Sequence, residues 1–206
     1  MDGSLQTPTF LFVGNHLCLD FINTQMIIRG NLTDLLETCD DLVAWMVRTD
    51  LLSKGEGEAI RMGLSRKEKN QVLEGAKTFR ATLREMAEHI VKRKGVPRSV
   101  VTEINRLLSQ RPGYPQVVRR GTKFEETVIS EVVNTDNLLA SLARAASDLL
   151  CRGNLALIKR CANDACILYF YDTTKSHTRN WCSMQLCGNR VKVAAHYHRK
   201  KLAKGR

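Results

Sequence analysis

Four cysteines near the C-terminus constrain the fold of this chain more than any other feature of its sequence. They form two pairs, Cys161 with Cys166 and Cys182 with Cys187, and four residues separate the members of each pair. Two close pairs of thiolates can supply the tetrahedral sulfur cage that Zn²⁺ favours. The surrounding segment has few large apolar residues, so it needs a cross-link such as a metal in order to fold. We predict one structural zinc ion per chain, bound by these four cysteines.

Disulfides, an iron–sulfur cluster and four ordinary core thiols are the alternatives for this cluster. The N-terminus has no basic region before an apolar run, and "FLFVG" is too short for a signal peptide or a membrane span. We therefore expect a cytoplasmic protein without membrane contact, in a reducing compartment where clustered cysteines bind metal more often than they pair. Cys18, Cys39 and Cys151 lie in apolar helical patterns, and we expect buried, inert thiols there.

Positive charge is concentrated in the same part of the chain. Residues 1–150 contain 20 Lys and Arg against 19 Asp and Glu, a net charge of +1. Residues 151–206 contain 12 basic and 2 acidic residues, a net charge of +10. A basic excess confined to one segment indicates a polyanionic partner, with DNA as the first choice and RNA as the alternative.

The rest of the chain is typical of a folded globular protein, with 43% hydrophobic and 26% charged residues. Its apolar residues recur mainly at helical spacing. We predict a mainly α (α+β) fold: a helical N-terminal domain with a small antiparallel sheet over residues 1–153, and a zinc-stapled module of β-hairpin and helix over residues 154–206. The join between them is short, so we expect the two parts to be docked.

Individual elements follow from local patterns. Ser65 and Glu68 form a capping box that opens the strongest helix, and its apolar stripe runs from Val72 to Ile90. We predict a strand over residues 7–14, a helix over 15–28, a second helix over 40–52 and a hairpin over 116–130 that turns near Arg120 and Gly121. A helix after Pro97 should bury Val101, Ile104 and Leu108, and a helix capped by Thr135 should bury Leu138, Leu142, Ala146 and Leu149.

A basic helix should follow the last cysteine, so that the metal site fixes the start of the helix that meets nucleic acid. The predicted contact residues are Arg179, Arg190, Lys192, His196, Arg199, Lys200 and Lys201. A solvated basic face is the plain alternative. Base stacking on the aromatic residues of the module, Tyr169, Phe170, Tyr171, Trp181 and Tyr197, would favour single-stranded RNA, whereas packing into a small core is the other interpretation of these rings.

The segment "RCANDACILYFYDTTKSHTRNWCSMQLCGNRVKVAAHYHRKK" resembles the CGNR zinc finger, through all four cysteines, Trp181, Ser183, Met184 and the tetrad Cys-Gly-Asn-Arg. The first 150 residues resemble the ABATE domain, in the segments "LCLDFINT", "DLVAWMV", "LRE" and "INRLL". The resemblance implies a stress-related transcription regulator whose zinc finger binds DNA. Asn180 departs from the family pattern, which usually has a second basic residue there, and this puts one phosphate contact in doubt.

The N-terminal domain is expected to sense a ligand or to mediate homodimerisation. A small-molecule pocket lined by Asn23, Trp45, Arg84 and Asn105 is one hypothesis for it, and buried hydrogen-bond anchors are the plain alternative for the polar members. An enzyme site in this domain is a further alternative. We find no nucleophile–base pair, no phosphate-binding glycine loop and no carboxylate pair at metal spacing, so we expect no catalytic residues.

Arg190 is expected in the first turn of the basic helix, where a cation opposes the helix dipole. Such a placement suggests a specific role for its guanidinium. One hypothesis is a contact to a base edge or phosphate, and the other is an ion pair with Asp172 that ties the helix to the hairpin. We favour the ion pair, because Asp172 is one of only two acidic residues in the module.

Overall fold

The computed structural model describes residues 10–110, 114–129 and 135–204. Within these ranges the chain forms seven α-helices and three two-stranded antiparallel sheets, which confirms the predicted fold class. The helices are α1 (Leu17–Ile22), α2 (Cys39–Arg48), α3 (Lys54–Gly63), α4 (Arg66–Val91), α5 (Arg98–Ser109), α6 (Thr135–Arg152) and α7 (Asn189–Lys204). The strands are β1 (Gln25–Ile28), β2 (Asn31–Asp34), β3 (Tyr114–Arg120), β4 (Lys123–Ile129), β5 (Ile158–Arg160) and β6 (Tyr169–Tyr171).

Capping boxes fix where three of the helices begin. The predicted pair, Ser65 and Glu68, opens α4, and each residue's side chain accepts a hydrogen bond from the other's backbone N–H. The same reciprocal pairing opens α2 and α3. Helix α3 is absent from the sequence prediction because its segment contains three glycines and buries only Gly57 and Ile60, which leaves almost no apolar period to detect.

The core is built around α4. Its predicted stripe is buried from Val72 to Met86, and Ile90 is partly buried at its end. Helix α6 packs against both α4 and α5, and α1 packs against α4 and α6. Trp45 of α2 is fully buried, with its ring centroid 5.2 Å from that of Phe21 in α1.

The predicted helix over residues 15–28 is wrong beyond Ile22, because a hairpin follows instead. Strands β1 and β2 pair Ile28 with Asn31, and the turn between them is formed by Arg29 and Gly30. Both turn residues have positive φ, 51° and 84°, which is the backbone of a type I′ hairpin turn. The predicted strand over residues 7–14 is not seen over residues 10–14, and residues 7–9 lie outside the described ranges.

The face of α5 that enters the core is shifted by one residue from the prediction. Val100, Ile104 and Leu107 are buried, whereas Val101 is 41% exposed. The sequence has valine at both 100 and 101 and leucine at both 107 and 108, so two apolar stripes fit helical spacing equally well. Tertiary packing on α4 and α6 selects between them.

Two other predictions for this domain agree with the structure. Strands β3 and β4 pair from Tyr114 with Ile129 to Arg120 with Lys123, and Gly121 takes the positive φ of 65° in the turn. Helix α6 begins at Thr135, whose side chain lies outside the described part. All four apolar residues predicted for its core face are buried: Leu138, Leu142, Ala146 and Leu149.

Hydrogen bonds to the main chain dock the cysteine-rich segment on the helical part. The Asn23 amide donates to the Tyr169 carbonyl at 2.8 Å, and its Oδ1 accepts from the Tyr169 N–H at 2.9 Å. The Tyr171 N–H donates to the Gly14 carbonyl at 2.7 Å. Strand β6 is therefore held by residues around α1, and the buried apolar cluster continues from one part into the other. The chain division at residue 153 stays a prediction.

The four residues of the hypothetical ligand pocket occupy different environments. Trp45 is enclosed in the apolar core, and Asn105 is exposed on α5. Arg84 donates to the carbonyl groups of Ile167, Ile22 and Gln25 at 3.1, 2.8 and 3.2 Å. Asn23 and Arg84 therefore fit the alternative of hydrogen-bond anchors, since their polar groups bind main chain, and the set as a whole does not converge on one ligand.

Asn23→Ala should lower the free energy of unfolding by about 1–3 kcal/mol, because it leaves the buried N–H and carbonyl of Tyr169 without this partner. Urea unfolding of the zinc-loaded protein measures the change. Asn105→Ala is the matched control: the same side chain is removed from an exposed position, and a change within about 0.5 kcal/mol is expected. Equal effects of the two variants would contradict the docking role of Asn23.

Candidate metal centre

The first cysteine pair lies in the loop of the hairpin formed by β5 and β6. Cys161 directly follows β5, and its N–H donates to the Leu168 carbonyl at 2.9 Å. The Cys166 N–H donates to the Asn163 carbonyl at 2.8 Å, which closes a tight turn between the two thiols. The β-hairpin predicted for this module is formed by β6 and by β5, the strand that precedes Cys161. The hairpin therefore presents this pair at its tip.

The second pair connects the hairpin to α7. Cys187 lies in a π-helical turn, Met184–Gly188, that leads directly into α7. The carbonyl of Ser183 accepts hydrogen bonds from the N–H groups of Cys187 and Gly188, both at 3.0 Å. A Cβ atom on Gly188 would lie 2.6 Å from Sδ of Met184, so the absence of a side chain there lets the Met184 side chain pack on the turn. The last thiol is thus fixed just before the basic helix begins.

The four thiols converge on one point. Their Sγ atoms all lie within 4.8 Å of one another, and all four residues are buried. Sγ of Cys182 is 3.9 Å from that of Cys166 and 3.6 Å from that of Cys187. A tetrahedral zinc ion with bonds of ~2.3 Å requires neighbouring sulfurs about 3.8 Å apart. The donor set and its dimensions fit one zinc ion, with all four positions filled by protein sulfur.

The four thiols change one another's protonation because they lie so close together. Hydrogen bonds from the thiols of Cys166 and Cys182 lower the pKa of Cys161, so one thiolate is favoured. Hydrogen bonds with Cys161 and Cys166 are the main cause that raises the pKa of Cys182, and burial and the charge of the neighbouring thiols raise it further. A coordinated metal ion removes the conflict, since it deprotonates its thiol ligands outright.

Asp172 does not pair with Arg190, so the favoured sequence hypothesis is wrong. Its buried carboxylate accepts from Nζ of Lys159 at 2.7 Å, from the Thr174 hydroxyl at 2.6 Å and from the Arg179 N–H at 2.9 Å. Burial raises the pKa of Asp172, but these hydrogen bonds outweigh it and hold the pKa below its usual range. Lys159 is absent from the predicted site residues, because its only signal in the sequence is a basic residue two positions before Cys161.

The Arg190 guanidinium instead binds the turn that holds Cys187. Its Nε donates to the Leu186 carbonyl, and one terminal nitrogen lies 3.5 Å from Sγ of Cys187. Arg190 is therefore a neighbour of a metal ligand, and it is also exposed to solvent. Hydrogen bonds from such neighbours orient metal ligands and adjust their electronic properties.

Arg179, predicted to contact nucleic acid, is directed inwards. Its guanidinium donates to the carbonyls of Trp181 and Val13, both at 2.9 Å, and to that of Cys182. The same group lies 4.1 Å above the centroid of the Phe170 ring. Arg179 therefore links the N-terminal segment, the hairpin and a metal ligand. Because its guanidinium is bound within the protein, Arg179 is not among the nucleic-acid contacts proposed below.

The other predicted contact residues lie on α7. Arg190, Lys192, His196 and Lys200 are exposed, and Nζ of Lys192 lies 6.0 Å from the Trp181 ring centroid. Helix α7 also carries Arg199 and Lys201, whose side chains lie outside the described part. By sequence this helix contains no acidic residue.

The remaining cysteines and aromatic residues differ in burial. Cys18 and Cys39 are buried as predicted, and burial raises their pKa values to about 12 and about 11. Cys151 is exposed, so its predicted burial is wrong. Tyr169 and Phe170 are buried, which leaves their faces unavailable to bases.

A buried cage of four cysteines, held between a short hairpin and a helix, defines a zinc-finger module attached to a helical domain. The chain belongs to the ABATE family, described as "Putative stress-induced transcription regulator", whose model matches residues 15–153. Residues 158–200 match the CGNR zinc finger. Both matches confirm the resemblance seen in the sequence, and both families are regulatory or zinc-finger types. No match was found among curated proteins. None of the helices in the described ranges is long and apolar enough to cross a membrane.

We expect purified protein to contain one zinc ion per chain by elemental analysis, and Cys166→Ser to lose it. Because structural zinc in small fingers contributes about 10–16 kcal/mol, the variant should unfold the hairpin and α7 while the circular dichroism of the larger helical part persists. The matched control is Cys151→Ser, which alters an exposed thiol and should keep the zinc. A metal-free wild type, or a disulfide between any two of the four cysteines, would contradict the site.

Arg190→Lys should weaken zinc binding by about 10–100-fold, because the lysine keeps the charge but loses the planar group that bridges Leu186 and Cys187. Competition with a chromophoric chelator measures this affinity. Lys200→Ala, on the same helix, should leave the zinc affinity unchanged.

A double-mutant cycle should show coupling of about 0.5–3 kcal/mol between Lys159 and Asp172, and none between Asp172 and Arg190. Coupling between Asp172 and Arg190, with none between Lys159 and Asp172, would instead support the ion pair favoured from the sequence.

Proposed function

We propose that this protein is a DNA-binding transcription regulator in which a structural zinc site presents the basic helix α7 to the sugar–phosphate backbone. One observation carries the proposal: α7 begins two residues after a zinc ligand, exposes basic side chains and has no acidic residue. A helix oriented at its first turn by a rigid cage is preorganised for a groove or backbone contact. The ABATE domain, in this proposal, senses a signal or mediates oligomerisation.

The contact is mainly electrostatic. The residues proposed to meet phosphates are Arg190, Lys192, Arg199, Lys200 and Lys201, with His196 beside them. Helix α7 has 16 residues and is therefore about 24 Å long, so its charges extend over several phosphates of one strand. Contacts of this kind position a protein on nucleic acid and supply most of its affinity without reading sequence.

Duplex DNA is preferred to single-stranded RNA because, among the described side chains, the rings that would stack bases are buried or in contact with other groups of the protein. Tyr169 and Phe170 are buried, and the Tyr171 hydroxyl accepts a hydrogen bond from the Asn154 N–H at 2.9 Å. Trp181 is half-buried under Lys192. RNA binding by the same finger remains the alternative function, and competition between the two nucleic acids at fixed salt distinguishes them.

We propose a regulatory and not an enzymatic role. The conspicuous cluster of nucleophiles among the described residues is the four-thiol site, and a zinc ion there has no open position for substrate or water. The buried polar residues Asn23 and Arg84 are bound to main chain, as described above. These observations support binding as the activity of the protein.

Neutralising about five phosphates should make log K fall against log salt with a slope near −4.5 on B-form DNA, measured by fluorescence anisotropy. Lys200→Ala combined with Lys201→Ala should flatten this slope by about two units without changing zinc content. Lys54→Ala combined with Lys67→Ala is the matched control, since it removes the same charge from exposed positions of α3 and α4. Salt-independent binding, or an equal effect of the control, would overturn the proposed role of α7, and tighter binding of single-stranded RNA would favour the alternative.

A further inference from the structure

A groove of about 790 Å³ lies where the C-terminal end of α4 meets strand β5. Its apolar floor includes Ile90 and Ile158, and its rim carries Arg93, Lys94 and Arg160. No aspartate or glutamate lines it among the described residues. The groove is thus formed jointly by the helical domain and the zinc finger, and its charge is positive.

The three rim cations are available to a ligand. Arg93, Lys94 and Arg160 are all exposed, and none of them has an ion pair within 4.0 Å among the described residues. The nearby carboxylate of Glu88, which feels the charge of Arg160, is already paired with Lys92. Cations left without carboxylates around a concave surface concentrate a positive potential there, and such a potential attracts polyanions.

The groove is continuous with the surface that carries α7. Arg179 and Asn180 line both this groove and a smaller pocket of about 310 Å³, which Trp181 also lines. Nζ of Lys192 on α7 lies 6.0 Å from the Trp181 ring centroid. A path therefore runs from the end of α4, past Asn180 and Trp181, to the basic face of α7.

The two ends of this path belong to surfaces that are docked on each other. The hydrogen bonds of Asn23 with Tyr169, and of Arg179 with Val13, cross between the helical part and the finger. A ligand that contacts both ends consequently meets charges whose spacing is fixed before binding. Preorganisation of this kind lowers the entropic cost of association.

We propose that this groove binds the phosphate backbone of the same nucleic acid that α7 contacts, through Arg93, Lys94 and Arg160. The proposal rests on the proposed function, and it assigns the helical domain a direct part in binding. The common chemistry is a phosphate diester or monoester, and the occupant is the nucleic-acid backbone because the path to α7 is continuous and a free phosphate would occupy only one end of it.

The test uses the full-length, zinc-loaded protein and random-sequence duplexes of about one and two helical turns, ~10 and ~20 bp. The variant combines Arg93→Ala, Lys94→Ala and Arg160→Ala. On the longer duplex the three groove contacts should add about 2.7 units to the slope near −4.5 that α7 supplies, from roughly 0.9 per contact, and we expect the variant to lose this addition. The gain in affinity from the shorter to the longer duplex should also be smaller than that of the wild type.

The matched control combines Lys54→Ala, Arg66→Ala and Lys67→Ala, which removes two exposed charges from the first turn of α4 and one from the start of α3. The start of α4 lies about 39 Å from the groove end of the same helix, which has 26 residues. An equal effect of the control would show a general charge effect and would overturn the proposal. A wild-type salt slope for the groove variant, together with a flattened slope for the Lys200 and Lys201 variant, would reject phosphate binding by the groove but leave the proposed function intact. Loss of inorganic pyrophosphate binding without any change on DNA would reassign the groove to a small anion and also reject the proposal.

Discussion

The zinc–thiolate cage is the interaction on which the C-terminal module depends. Its hairpin strands have three residues each, and two strands this short are not stable in water by themselves. The cage joins the hairpin tip, through Cys161 and Cys166, to the turn that starts α7, through Cys182 and Cys187. Without it, the position of α7 relative to the rest of the chain would depend on the irregular loop before it and on that loop's hydrogen bonds.

Docking adds a second constraint, because polar groups of the finger are satisfied by the helical domain. Asn23 forms hydrogen bonds with both the N–H and the carbonyl of Tyr169, and Arg179 donates to the carbonyls of Val13 and Cys182. Loss of either contact leaves buried hydrogen-bonding groups without a partner, which costs more than the bond itself contributes. Any change of structure around α1 would therefore act on the finger, and by linkage a change in the finger would act equally on α1. In the function that we propose, this coupling would carry a signal from the helical domain to the finger.

The features that the sequence predicts correctly are formed by residues close together in the chain. The paired cysteines, the capping box at Ser65 and the hairpin turn at Gly121 each depend on residues close together in the chain, and each agrees with the structure. The failures involve choices that only tertiary contacts decide. Two apolar stripes fit α5 equally, and packing selects the one through Val100. The partner of Asp172 is Lys159, which no short-range pattern singles out, and the inward direction of Arg179 depends on Val13, 166 residues away in sequence.

The position of Arg190 illustrates how the cage and the basic helix fit together electrostatically. A cation in the first turn of a helix is unfavourable by about 0.3–1 kcal/mol. Four thiolates around one divalent ion, however, leave a net negative charge at the N-terminus of α7, where the helix dipole favours it. The Arg190 guanidinium lies 3.5 Å from Sγ of Cys187 and so partly neutralises that charge on the solvent side. Arg190 thereby weakens the repulsion between the cage and the polyanion that we propose for α7, so a residue that is unfavourable for the helix alone becomes favourable in the assembled site.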